Sequence, residues 1–367
     1  PARRCNTGEP ATNDERRTTS DNVGTTNIDN NRVAVAVLGA GFISDYHITG
    51  LQAAGADVRC VSSRNLAKAQ QKADQYGIPT ACADYREVLA RPDVEAVIIA
   101  TPDVTHAELA IAAANAGKAI LLQKPMARTS AEGRRIIAAA DQAGVPLVVS
   151  FMHRYFEEVD RTRALLAEHA LGHVHLVRQH NATQGADWAA WFYSKAHVGG
   201  GVVLQLGVHG IDLLRCLFGE IEAVKAVTTT ATTARVLADG SVVHPDNEDL
   251  AVAIYRFASG ALAVHEMSYN EVAGTDRFRM EIYGDRGAAW LRTERGRLAL
   301  SHGRDEWLAP DLPPEAAGER QHRHFLAMVR GEAPLDSSAH DGLAALLVAE
   351  AIYRSAAAGD WEQVDRL

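Results

Sequence analysis

From Val33 the chain opens on six residues without a polar interruption, Val33-Ala34-Val35-Ala36-Val37-Leu38. A strand with one wet face alternates. A short β-branched run without alternation suits a strand buried on both faces of a parallel sheet. A helical pattern follows from Phe42 to Ala54. The same rhythm then repeats. Buried strands are predicted at Asp57–Val61, Ala96–Ile99, Ala119–Leu122 and Pro146–Val149, and helices at Asn65–Tyr76, Val104–Asn115 and Ser130–Gln142. Strands alternating with helices predict a doubly wound parallel sheet.

Further along, Leu250–Phe257, Ala261–Tyr269, Arg277–Tyr283 and Ala288–Thr293 read as strands, with turns at Ser259-Gly260 and Gly284-Asp285-Arg286-Gly287. With 367 residues the chain is long for one core, so two domains are expected. We place the boundaries at 32–152 and 153–367. Residues 1–31 are rich in Thr, Asn, Asp and Arg, with almost no large apolar side chains. Such a segment cannot offset its ordering entropy by burial, and a disordered tail is expected. Arg16-Arg17 is not followed by an apolar stretch, so it does not read as an export signal, and a cytoplasmic location is expected.

Composition narrows the function. Hydrophobic residues make up 47 % and charged residues 23 %, the balance of a globular protein. A net charge of −9 argues against a general nucleic-acid partner, which needs clustered Lys and Arg. Cys5, Cys60, Cys82 and Cys216 are scattered, with no CxxC pair, so neither a metal site nor a disulfide framework is expected. No apolar run approaches the roughly 20 residues that span a bilayer, and no membrane partner is expected.

Chemistry enters with Gly39-Ala40-Gly41, placed between the first strand and the first helix. Gly39 allows the tight turn, and Gly41 lets the backbone approach a pyrophosphate. The helix start at Phe42 and Ile43 offers free N–H groups and a positive dipole end to that anion. The third small position is Ser44. Together these predict a Rossmann dinucleotide-binding domain. The second strand runs into Val61-Ser62-Ser63-Arg64-Asn65, with no carboxylate to take an adenosine 2′-hydroxyl. Ser63 and Arg64 can instead bind a 2′-phosphate, so NADP is favoured over NAD.

Thr101-Pro102-Asp103-Val104-Thr105-His106 follows one strand, and Gln123-Lys124-Pro125-Met126-Ala127 follows the next. With the Gly-Ala-Gly turn, Gly199-Gly200-Gly201, Gly207-Val208-His209, Asp212 and a closing His324-Phe325 to Ser355 pattern, the chain from about Arg32 resembles the Gfo/Idh/MocA oxidoreductase family. The resemblance implies a second domain built on an open, mostly antiparallel sheet that also forms homodimers or homotetramers. The fold class is thus α/β followed by α+β. It also implies hydride transfer between a nicotinamide and a secondary alcohol or ketone of a sugar, cyclitol or derivative.

Residue by residue, the resemblance makes Lys124 and His209 the catalytic candidates. A Lys124 ammonium would stabilise alkoxide character, and His209 would take or relay the proton. Gln205, Trp191, Tyr193, Arg154 and His153 are the candidate substrate contacts. Thr101, Pro102, His106, Gln123 and Lys124 join Gly39, Gly41, Phe42, Ile43, Ser63 and Arg64 as candidate cofactor contacts. Two positions depart from the family pattern. Gln123 stands where Glu is usual, and Gln205 where many members carry Asp; an amide takes no proton and carries no charge. These departures keep two other readings open: a noncatalytic dinucleotide- and sugar-binding regulator, and an NAD-dependent enzyme that cleaves glycosides.

Overall fold

The computed structural model describes residues 32–367 apart from 272–276, 294–295, 304–305, 315 and 337. The expected tail, 1–31, lies outside the described residues. Val33–Leu367 forms one compact unit.

The first half alternates as its rhythm predicts. Strands β1 (Ala34–Leu38), β2 (Asp57–Ser62), β3 (Thr80–Cys82), β4 (Ala96–Ile99), β5 (Ala119–Gln123) and β6 (Leu147–Ser150) form one parallel sheet in the order β3-β2-β1-β4-β5-β6. That order is the doubly wound dinucleotide-binding arrangement, with its ligand crevice at the carboxyl ends of the strands. Helices α1 (Phe42–Ala53), α2 (Leu66–Tyr76), α3 (Tyr85–Leu89), α4 (His106–Asn115) and α5 (Ser130–Ala143) connect them. β1 is buried on both faces. Val35 and Val37 enter one apolar core and Ala36 and Leu38 the other. β3 and α3 were not anticipated, because three- and five-residue elements carry too few positions to show a period.

The second half continues with α6 (Glu157–Ala167), β7 (Val174–Ala182), α7 (Lys195–Val198), a π-helical turn (Val203–Gly207) and α8 (Val208–Phe218). Strands β8 (Ile221–Thr229), β9 (Arg235–Val236), β10 (Val242–Val243), β11 (Leu250–Phe257), β12 (Leu262–Ser268), β13 (Phe278–Gly284), β14 (Ala288–Thr293) and β15 (Gly296–Ser301) follow. Helices α9 (Ala317–Val329) and α10 (Ser338–Ala358) and strand β16 (Glu362–Gln363) close the chain. Eight strands pair as β15-β14-β13-β7-β12-β11-β8-β16, antiparallel except for β7 beside β12. One face of this sheet is covered. The other leaves Val227, Val252, Ile254 and Leu262 exposed.

β7 escaped the sequence reading because its inward positions are polar. Buried Gln179 donates to Asn181, whose Oδ1 lies 2.8 Å from His265 Nε2, and the other His265 nitrogen meets the Tyr255 hydroxyl at 3.0 Å. The four side chains are thus joined in one buried hydrogen-bonded row, which stands in for apolar alternation, although Gln179 Oε1 and Asn181 Nδ2 find no partner among the described residues.

The last helices tie the two sheets together. Helix α9 returns to the first half, where Phe325 and Leu326 join the core beneath α1. Each is at most 1 % exposed, and burying each contributes about 1.5–3 kcal/mol. His47 of α1 and His322 of α9 meet there with ring nitrogens 2.9 Å apart. Helix α10 packs on α5, β6 and β8, bridging the two sheets. The 24-residue helical stretch Lys195–Phe218 is long and apolar enough to cross a bilayer, contrary to the expectation that no apolar run comes near that length. Its most apolar window is 83 % buried within the fold, the behaviour of a core helix.

Candidate functional site

A cleft of about 1260 Å3 extends from the carboxyl ends of β1, β2 and β5, lined by Leu38, Ser62 and Gln123, to Thr183, Tyr269 and Phe278 beside the second sheet. Its two ends are built differently.

At the first end, Gly39 turns the chain out of β1 with φ 117°, a backbone that L side chains rarely adopt. A Cβ here would sit 2.2 Å from the Ala100 carbonyl oxygen. The Gly39 N–H donates to the Ser62 carbonyl at 2.7 Å, which fixes the turn against β2. At Gly41 an added Cβ would meet nothing within 4 Å, so the backbone faces open cleft. No side chain caps α1 at Gly41. The first N–H groups of a helix lack intrahelical acceptors, and here they are left for a ligand. Ser44 is fully buried and donates to the Gly41 carbonyl, so it serves packing. This turn fits a dinucleotide pyrophosphate.

Ser63, Arg64 and Lys68 line the rim beyond β2. No carboxylate stands between Ser62 and Asn65. Asp45, on α1, is engaged by Lys72 at 2.6 Å and by the Tyr76 hydroxyl at 2.7 Å. This rim is therefore polar and cationic.

At the far end, β5 delivers Gln123 and Lys124. The Gln123 side-chain carbonyl accepts the Lys124 N–H at 2.7 Å, and the Lys124–Pro125 peptide is cis. The Lys124 ammonium donates to the backbone carbonyl of Gln205 at 2.7 Å. Gln205 lies in the π-helical turn, a widened turn common at functional sites. Its side-chain amide donates to the Asp103 carboxylate. Burial pushes the Lys124 pKa down to about 8, against the pull of Asp103 and with a further push from Arg277. Burial also raises the Asp103 carboxyl, while His106, Gln205 and Lys124 hold it lower.

His209 starts α8 and stacks on His153, ring centroids 4.2 Å apart and planes 17° from parallel. Burial, then the neighbouring His153, Lys124 and Arg277, hold His209 far below the usual imidazole range. Burial and the cations Arg292, Lys124 and Arg277 push His153 down to about 3. Both rings are thus neutral near pH 7, and among the described residues the Nδ1 of each is buried without a hydrogen-bond partner.

The helix that carries Gln205 and His209 is locked from behind. The Glu248 carboxylate accepts the N–H of Gly201 at 2.8 Å, the N–H of Val203 at 3.2 Å and the Tyr353 hydroxyl at 2.8 Å. A Cβ at Gly201 would sit 1.8 Å from the Glu248 carbonyl oxygen, so only glycine fits. The apolar wall is aromatic. Trp191 and Phe192 line it, and Trp188 lies 6.2 Å from the Phe42 ring, joining the two ends.

Most of the residues singled out from the sequence line this cleft: Gly39, Gly41, Phe42, Ile43, Ser63, Arg64, Thr101, Pro102, Gln123, Lys124, His153, Trp191, Gln205 and His209. Three, among the described residues, do not. His106 is buried with one ring nitrogen 2.9 Å from the Pro125 carbonyl and the other 2.9 Å from that of Thr101, so it ties two loops together. Tyr193 spends its hydroxyl on the backbone of Ala186, donating to the carbonyl and accepting the N–H. Arg154 pairs with Asp212 at 2.8 Å and with Asp341 at 2.9 Å, which anchors α8 to α10. Asp103, Trp188, Tyr269 and Arg277 line the cleft and were not chosen. Asp103 stood inside the Thr101–His106 stretch, and Trp188 lies beside the candidate Trp191. For Arg277 no local signal separates it from a solvated strand end.

Residues 33–151 match the oxidoreductase family with an NAD-binding Rossmann fold, and residues 159–290 match the GFO/IDH/MocA C-terminal domain. The chain belongs to the GFO/IDH/MocA oxidoreductase family. It is 28 % identical over 354 residues to the levoglucosan dehydrogenase of Pseudarthrobacter phenanthrenivorans, covering 84 % of this chain and 90 % of that one. It is 29 % identical over 334 residues to the inositol 2-dehydrogenase of Rhizobium meliloti, covering 89 % and 97 %. A solved levoglucosan dehydrogenase in complex with NADH and levoglucosan superposes with a TM-score of 0.82 at 27 % identity, covering 91 % of this chain and 100 % of that chain.

Proposed function

We propose that this chain interconverts a secondary alcohol of a sugar, cyclitol or related polyol with its ketone, using a nicotinamide dinucleotide held across the cleft. The observation that carries this reading is the meeting of Lys124 with Gln205 and His209, from two separate stretches of chain, at the buried end of a cleft that begins at the Gly39–Gly41 turn. The bound nicotinamide supplies the hydride acceptor or donor. Lys124 holds its ammonium toward the reacting oxygen and stabilises alkoxide character. His209, neutral and lining the cleft, receives the hydroxyl proton. Trp191 offers a flat apolar face to the C–H side of a ring, and Gln205 and His153 orient hydroxyls.

In this reading residues 32–152 hold the cofactor, while 153–367 complete the substrate pocket. Ser63 and Arg64 favour NADP over NAD, with the lack of a carboxylate in the Ser62–Asn65 segment as support. The relative solved with NADH makes the comparison with NAD necessary. The exposed row Val227, Val252, Ile254 and Leu262 is the face on which a second copy packs, in a homodimer or homotetramer, in the cytoplasm.

Calorimetric titration with NADP(H) and NAD(H), followed by initial rates on a panel of polyols and anhydrosugars, tests the reading. Dinucleotide binding together with a change in reduced cofactor on any polyol supports it. Binding without turnover favours the noncatalytic regulator, and glycoside cleavage without net cofactor change favours the glycoside-cleaving enzyme.

A further inference from the structure

The charge at the reaction end is distributed in an unexpected way. Position 205 is an amide, yet a carboxylate lies directly behind it. Asp103 is 5 % exposed, lines the cleft and receives the Gln205 side-chain N–H. Gln205 is bonded at both ends, since its backbone carbonyl takes the Lys124 ammonium at 2.7 Å. Asp103, Gln205 and Lys124 thus form a chain in which a neutral linker joins an anion to a cation. A carboxylate is costly to bury, and a single neutral amide repays little of that cost. A cation nearby repays more.

We propose that Asp103 is a positioning residue for Lys124: it anchors the amide of Gln205, whose carbonyl receives the Lys124 ammonium, and it supplies the negative charge that position 205 lacks. The proposal rests on the reading of Lys124 as the reacting ammonium. Among the described residues, Lys124 feels Asp103 and Arg277 and is faced by the neutral rings of His153 and His209, while Asp103 feels His106 and Lys124 and is faced by the Tyr269 hydroxyl. Arg277 works against the charged form of Lys124, so Asp103 is the group that keeps it protonated in a buried site.

The test measures the Lys124 titration in the whole chain without substrate, by the pH dependence of its modification with an amine-selective acylating reagent, read by peptide mass spectrometry. The midpoint for the unaltered chain is expected near 8. Asp103→Asn keeps the shape and removes the charge, and it is expected to lower the midpoint by about one unit. The exchange Asp103→Asn/Gln205→Glu keeps one carboxylate and one amide in the pair, and it is expected to restore the midpoint. The exchange decides the matter even where the single variant fails to fold. An unchanged or raised midpoint in Asp103→Asn overturns the proposal, as does an exchange variant whose midpoint lies about one unit below that of the unaltered chain. In turnover, the falling alkaline limb of kcat should move to lower pH in Asp103→Asn, a shift that a purely structural residue would not cause. Should no polyol be turned over, the proposed function fails, while the acylation midpoint still decides the role of Asp103.

Discussion

The two ends of the cleft obey different physics. The dinucleotide end is made of backbone: one turn with φ 117° at Gly39, one open glycine at Gly41 and an uncapped helix start, all within a few residues. The proposed reaction end is made of side chains brought from distant positions, Asp103, Lys124, His153, Gln205, His209 and Arg277, of which Asp103, Gln205 and His209 are buried. The first recognises charge with N–H dipoles and stays accessible to solvent. The second uses burial to shift proton affinities, pushing Lys124 down to about 8 and holding His209 neutral. Binding therefore depends on local chain geometry, and chemistry depends on the assembled interior.

The sharpest way to separate the ends is to remove the ammonium. Lys124→Ala should lower kcat by about 10²–10⁴-fold and leave the dinucleotide Kd within about threefold, read by steady-state rates and calorimetry. A comparable loss of dinucleotide affinity would erase the division. Within the dinucleotide end, the two glycines should fail differently. Gly39→Ala places a Cβ against the Ala100 carbonyl and forces φ 117° on an alanine, so it should cost about 2–3 kcal/mol of stability in urea denaturation. Gly41→Ala meets no atom and should leave stability within about 0.5 kcal/mol while weakening dinucleotide binding. Arg64→Ala should weaken NADPH binding about tenfold and barely alter NADH binding, a difference of about 1.4 kcal/mol.

A last effect concerns the packing behind the dinucleotide helix. Burial lowers His322 to about 4 and His47 well below the usual range. An unfolded chain takes up protons below about pH 6.5 that these folded rings refuse. Their contribution to stability is complete above pH 6.5 and is lost as pH falls toward 4. The slope from His322 is at most about 1.4 kcal/mol per pH unit. His322→Gln should flatten the stability–pH curve in that window, measured by denaturant unfolding across a pH series, and an unaltered slope would contradict the assignment.

The parallel half was legible because β1, β4, β5 and β6 are built on short apolar runs and α2 and α5 stop at left-handed glycines. β4 has the expected ends, and α2 begins after the Asn65 cap and stops at the left-handed Gly77. The strands β11 and β14 also matched, since sheet positions alternate there or end at defined turns. Less legible were elements whose inward residues are polar, such as β7, and helices that report on another part of the molecule, such as α9. His106, Arg154 and Tyr193 do not line the cleft, for one shared reason. A side chain able to bind a ligand is equally able to bind a carbonyl or a carboxylate of its own fold, and local sequence does not say which it meets first.

Residue order alone sufficed for the doubly wound sheet and the glycine turn, because those depend on interactions within one turn or one strand, while the candidacy of Lys124 and His209 came from the family resemblance. Tertiary packing decided the rest. It set Cys60 and Cys82 with sulfurs 3.3 Å apart on neighbouring strands, though they are distant in sequence. It stacked His153 on His209, and it put the Asp103 carboxylate behind Gln205 rather than at position 205 itself. Proton affinities follow distance and burial in three dimensions, and neither quantity is written along the chain.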